Sequence, residues 1–170
     1  MRTVMFHIAM AIVAGAIVAP APASAQTLPA FEVTAPEGQT VASSALAAGS
    51  HWVIAYVVPG SAPSDRLVQA LGETWATDLL SRIVIIVGAD VDAARKYLED
   101  KGQGVQGKAA WYIDADASAW KALQFDGTLG VAGMDGQRVD WKIDGVINDP
   151  SVVEPATRAW LEKPVRPSGE

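Results

Sequence analysis

Two serines flank an alanine and a proline in Ser61-Ala62-Pro63-Ser64, directly after a long apolar run. A hydroxyl at a helix N-terminus can hydrogen-bond an anion and, with a base beside it, act as a nucleophile. The base is the difficulty. The chain has two histidines, His7 and His51. His7 falls in an N-terminal segment that reads as a leader. His51 stands at the far end of the apolar run, on the order of 25 Å from Ser61 if that run is extended. A Ser–His pair is therefore not expected. The chain has no cysteine, so neither a thiolate nor a disulfide comes from its own side chains. One remaining histidine and no cysteine exclude the usual zinc and blue-copper ligand sets, and no metal or other cofactor is expected.

Other clusters offer less. Asp114-Ala115-Asp116-Ala117-Ser118 begins like a calcium loop, but that loop needs glycine at its sixth place and glutamate at its twelfth. Ala119 and Phe125 stand there. Asp90, Asp92, Glu99 and Asp100 read as the solvated face of one helix. Of the six tryptophans, Trp52, Trp75 and Trp111 are expected in or near the core. Trp120, Trp141 and Trp160 are expected partly exposed, with amphipathic packing favoured over a partner surface.

The elements that must position Ser61 and Ser64 follow from periodicity. Residues 1–25 read as a cleaved secretory signal peptide. Arg2 gives a positive start, Val4 to Ala19 is an uncharged apolar run, and Ala23-Ser24-Ala25 is a small-residue cleavage site. Export to the periplasm or beyond follows, with no stable membrane insertion after cleavage. Residues 26–170 then form a single domain, large enough for a fair core. Gln26 to Ala30 reads as a polar tether. Phe31–Thr34 and Thr40–Ala42 form a hairpin around Glu37-Gly38-Gln39. His51 to Val58 is a continuous run rich in β-branched and aromatic residues, which predicts a strand covered on both faces. Pro59-Gly60 ends it. A helix starts near Pro63, with Ser61 or Ser64 as its cap and Leu67, Leu71 and Trp75 on its apolar stripe. Ile83–Val87 is a second buried strand, Asp90–Glu99 a helix, and Lys101–Lys108 a Gly-rich connection. Ala110–Ile113 is a strand, and Ser118–Phe125 one or two helical turns. Asp135-Gly136 joins Leu129–Met134 to Arg138–Ile143 in a hairpin. Asp149-Pro150 opens a last helix, roughly Ser151 to Lys163.

From Phe31 to about Leu161 this order resembles the thioredoxin-like superfamily, and most closely its exported thiol–disulfide reductases. The resemblance rests on the buried strand that ends in Tyr56-Val57-Val58 before Ser61-Ala62-Pro63-Ser64. It rests also on Trp111-Tyr112-Ile113-Asp114, Trp120-Lys121-Ala122-Leu123, Gly127-Thr128-Leu129 and Met134-Asp135-Gly136. It implies an α/β three-layer fold: a mixed central sheet with helices on both faces and an N-terminal β-hairpin. In that family Ser61 and Ser64 would be the two cysteines of Cys-x-Pro-Cys, and Leu129 a cis proline after Thr128. Leucine makes a cis bond costly, so this loop is expected to be trans. The implied site is a degenerate one: Ser61, Ala62, Pro63 and Ser64, faced by Thr128 and Leu129.

The function implied is a redox-inactive, non-catalytic binding or accessory module for a periplasmic protein or peptide. The chain is not a thiol–disulfide oxidoreductase through its own side chains. The alternative is a glutathione transferase-like enzyme, in which Ser61 or Ser64 stabilises the thiolate of a bound thiol cofactor. The net charge of −6 and the lack of any basic block argue against nucleic acid as a partner.

Overall fold

A computed structural model describes residues 26–144 and 153–164. Residues 1–25, expected to be a signal peptide, and the expected helix start at Asp149-Pro150 lie outside these residues. Eight strands form one sheet in the order β1-β8-β7-β4-β5-β6-β2-β3. In chain order they are β1 (Gln26–Thr27), β2 (Glu32–Thr34), β3 (Thr40–Ala42), β4 (His51–Val57), β5 (Ile83–Val87), β6 (Ala110–Ile113), β7 (Leu129–Asp135) and β8 (Arg138–Ile143). The helices are α1 (Ala62–Thr74), α2 (Thr77–Leu80), α3 (Val91–Lys101), α4 (Ser118–Ala122) and α5 (Val153–Leu161).

The apolar runs explain the centre of the sheet. β4, β5 and β6 pair in parallel, and β7 runs antiparallel to β4 on its other side. Every residue of β4 and β5 is buried. Alternation sends Val53, Ala55 and Val57 to one face, with Leu67 and Leu71 of α1, Leu98 of α3 and Leu161 of α5. Trp52, Ile54 and Tyr56 go to the other face, with Phe31, Leu46, Leu123 and Phe125. Two separate apolar layers therefore need a central strand apolar at every position, and that is why β4 carries no polar alternation. The β2–β3 hairpin joins the sheet at β6 through Thr34 and Ile113.

Several expectations need correction. Gln26–Thr27 is an edge strand on β8 rather than a free tether, and Leu28 N donates to Gln137 O at 2.8 Å just beyond it. Main-chain pairing at an edge needs no side-chain pattern, so composition gives no sign of it. The short α2 was not expected; it turns Leu79 and Leu80 into the core. Helix α3 runs on past Glu99 to Lys101, and the Gly-rich connection contains a 3-10 turn at Gly102–Gly104. Helix α4 stops at Ala122, short of Phe125. Trp160 is 6% exposed, not a surface residue. Its Nε1 donates to Trp52 O at 3.2 Å, and its ring stands edge-on to His51 at 4.8 Å and to Trp141 at 6.1 Å. These aromatic contacts hide it. Trp52, Trp75 and Trp111 are buried as expected, and Trp120 and Trp141 are half-buried. The Asp135-Gly136 hairpin forms with Gly136 at φ +57°, and Trp52 Nε1 closes on Gly136 O at 2.7 Å.

Candidate functional site

Strand register brings the two candidate segments together. β4 and β7 pair antiparallel, with Val57 opposite Leu129. The chain leaving β4 and the chain entering β7 must therefore lie side by side. Leaving β4, Gly60 turns at φ +78° and Ser61 becomes the N-cap of α1. Entering β7, Gly127 turns at φ +93° ahead of Thr128. Among the described residues no peptide bond is cis.

The three hydroxyls of the junction bond to one another's segments. Ser61 Oγ and Thr128 Oγ1 are 2.7 Å apart. Ser64 Oγ donates to Thr128 O at 2.8 Å and accepts from Val58 N at 3.1 Å. Neither serine caps α1 with its side chain; Ser61 caps by position only, and Pro63 is the second helical residue rather than the first. The electropositive helix start thus carries the two hydroxyls, with Asp65 as the acidic residue of its first turn. Ser64 is closed to solvent and Leu129 is 1% exposed, packed in the core. Ala62 and Thr128 are exposed, and Ser61 and Pro63 are half-buried. The accessible surface of the site is therefore Ser61, Ala62, Pro63 and Thr128. His51 begins β4 while Ser61 follows its other end, so the seven-residue strand separates them.

Removing the Ser64 hydroxyl leaves Val58 N–H and Thr128 C=O without their partner. Ser64→Ala should cost about 1–3 kcal/mol, read as a lower urea midpoint at unchanged slope. Ser61→Ala, at the more open bond, should stay within about 0.5 kcal/mol.

A support for the Thr128 segment lies behind it, at Asp114, a residue for which the sequence offered a strand end and a rejected calcium loop but no role. Asp114 is buried at the end of β6, 2% exposed. Its Oδ1 accepts from Ser118 N at 2.8 Å and Ser118 Oγ at 3.1 Å. Its Oδ2 accepts from Tyr56 Oη at 3.1 Å and Trp120 N at 3.2 Å. The carboxylate thus fixes the start of α4. Trp120 Nε1 in turn donates to Gly127 O at 3.2 Å, one residue before Thr128. Asp114 followed four residues later by Ser118 was the available signal, read as a helix start rather than a metal loop. Asp116 is exposed, and the Ser118 backbone N–H holds its carboxyl below the usual range.

Two buried tyrosines set the alkaline behaviour. Burial first, and then the Asp114 carboxylate, raises the Tyr56 hydroxyl pKa. Burial, and then the Asp65 carboxylate, raises that of Tyr97. In the unfolded chain both would ionise near about pH 10. Above that pH the unfolded state sheds protons that the folded state keeps, so stability is full below it and falls as pH rises. Urea midpoints should drop between about pH 9.5 and 11, and Tyr97→Phe should flatten that drop.

Fold and junction together define a class: a cysteine-free α/β domain of thioredoxin-like fold in which Ser61 and Ser64 at the start of α1 face Thr128. The putative thiol:disulfide interchange protein DsbE from Chlorobium tepidum matches with TM-score 0.63 and 15% identity, over 83% of this chain and 99% of that one. MTB dsbF, in mixed oxidized and reduced forms, matches with TM-score 0.59 and 15% identity, over 76% and 94%. A secreted Mycobacterium tuberculosis disulfide oxidoreductase homologous to E. coli DsbE matches with TM-score 0.55 and 14% identity, over 76% and 95%. At these identities the likeness is one of fold. No protein-family profile and no curated protein matches the chain. Among the described residues, no helix is long and apolar enough to cross a membrane.

Proposed function

We propose that this chain is an exported, redox-inactive thioredoxin-like module that holds a periplasmic protein or peptide against the Ser61–Thr128 junction. One observation carries the reading. Where this fold places reactive thiols, the chain has two serines, and both spend their hydroxyls on Thr128. The junction is thereby fixed in shape and left without a nucleophile, while Ala62 and Thr128 stay open to a partner. Preorganised surfaces bind with less ordering cost. The N-terminal leader pattern and the secreted relative support export.

The glutathione transferase-like alternative draws less support. Ser64 is closed to solvent, so the role would fall to Ser61, whose hydroxyl already pairs with Thr128.

The test is capture from periplasmic extract by the wild type and by Ala62→Arg and Thr128→Arg. These exposed positions tolerate charge, so thermal midpoints should be unchanged while the captured partner is lost. Capture that survives both variants sinks the junction as the binding surface. Calorimetry with glutathione should show no heat of binding; saturable heat that vanishes in Ser61→Ala would move the assignment to the thiol-cofactor enzyme.

A further inference from the structure

Three Asp-Gly steps occur in the chain: Asp126-Gly127, Asp135-Gly136 and Asp144-Gly145. Each carries the same latent chemistry. The glycine backbone nitrogen can attack the aspartyl side-chain carbon, because glycine has no Cβ to hinder the approach. An N–Cγ bond forms, the protonated carboxyl gives up its oxygen as water, and a succinimide ring closes. Water then opens the ring. Opening at the former α-carbonyl carbon leaves the main chain running through the side-chain carbon, with the α-carboxylate free, which is isoaspartate. The water lost is regained, and nothing is oxidised or reduced.

Gly145 lies outside the described residues, and the fold treats the other two steps differently. At Asp135-Gly136 both reacting groups are held. Gly136 N donates to Ser50 O at 2.7 Å, and Asp135 Oδ2 accepts from Arg138 at 2.8 Å. Asp135 is also fixed in the sheet, opposite His51 and Arg138. At Asp126-Gly127 neither group is held. Both residues are exposed, in irregular chain between α4 and β7. Among the described residues no acceptor meets the Gly127 N–H and no donor meets the Asp126 carboxylate.

The ends of this exposed link are anchored. Phe125 is 3% exposed, and its N donates to Trp120 O at 3.1 Å. Leu129 is buried opposite Val57. Isoaspartate adds a carbon to the main chain between these anchors. Packed side chains resist displacement, so the added length falls on Gly127 and Thr128. Gly127 O accepts from Trp120 Nε1, and Thr128 meets both serines.

We infer that Asp126 is a site of isoaspartate formation, and that its conversion displaces Thr128 from Ser61 and Ser64. The inference concerns the covalent state of the junction and does not rest on its holding a partner.

The experiment ages the purified protein for some weeks at body temperature and mildly acidic pH, folded and in concentrated urea. Peptide mapping with electron-transfer fragmentation then locates isoaspartate. The folded protein should carry about tenfold more at position 126 than at 135, the factor that one retained backbone hydrogen bond supplies. In urea the two positions should react alike. Asp126→Glu keeps the charge but would need a slower six-membered closure, so position 126 should stay unmodified in a normally folded protein. In the aged wild type the amide resonances of Ser61, Ser64 and Thr128 should shift, while those of β5 stay. Absence of isoaspartate at 126 in the folded protein overturns the proposal, as do equal amounts at 126 and 135. A preference for 126 that persists in urea overturns the structural cause. Modification that leaves the Ser61 and Thr128 resonances in place overturns the displacement.

Discussion

Asp114→Ala should lose about 3–5 kcal/mol of stability, a large part of the total for a domain of this size. The reason is an asymmetry. The carboxylate collects four donors in a site 2% exposed to solvent. Deleting it strands the Tyr56 hydroxyl and the Trp120 amide, while Ser118 keeps Asp116 Oδ1 and Glu32 O as acceptors, and each buried donor without an acceptor costs about 1–3 kcal/mol. Asp114→Asn should be milder, at about 2 kcal/mol, because its amide oxygen serves one side while its NH₂ opposes the other. The loss should reach the site. Trp120 holds Gly127, and Gly127 sets Thr128, so amide exchange at Gly127 and Thr128 should quicken more in Asp114→Ala than at β5. Equal protection at both places, or a cost below about 1 kcal/mol, would show that the carboxylate does not organise this loop.

Leu129→Asp should fail to give a folded protein at neutral pH. The Leu129 side chain is 1% exposed in the α1–α3–α5 face of the core, with its backbone opposite Val57. Losing that side chain alone costs about 2–5 kcal/mol. A carboxylate put there must be buried unpaired or neutralised, for several kcal/mol more. Together these rival the whole stability of about 5–15 kcal/mol. Circular dichroism should show loss of structure, and Leu129→Met should retain it within about 1.5 kcal/mol. A folded Leu129→Asp protein would mean that the side chain can leave the core. The position is therefore unsuited to testing the binding surface, and Ala62 and Thr128 serve instead.

Much of the domain could be read along the chain. The runs Trp52–Val57 and Ile83–Val87 announce strands covered on both faces, because no other environment accepts six and five consecutive apolar side chains in a globular sheet. The Asp135-Gly136 pair announces its hairpin because glycine reaches φ +57° without strain. The absence of cysteine excludes thiol–disulfide exchange through the chain's own side chains without any coordinates. Other features were not legible. The β1 edge is held by main-chain bonds that leave no mark on side-chain type. Trp160 is hidden by His51 and Trp141, neither of them near it in sequence.

The same division holds at the Ser61 and Ser64 site. By itself the sequence determined that two hydroxyls and no thiol follow a buried strand, since that depends only on residue type and local order. It did not determine what the hydroxyls do. That was decided by the β4–β7 register, which sets Val57 against Leu129 and so brings Thr128 onto both serines across more than sixty residues of chain. Side-chain hydrogen bonds act over about 3 Å, so only the closed sheet could place these partners within reach. The same folding put Leu129 inside and left Thr128 outside.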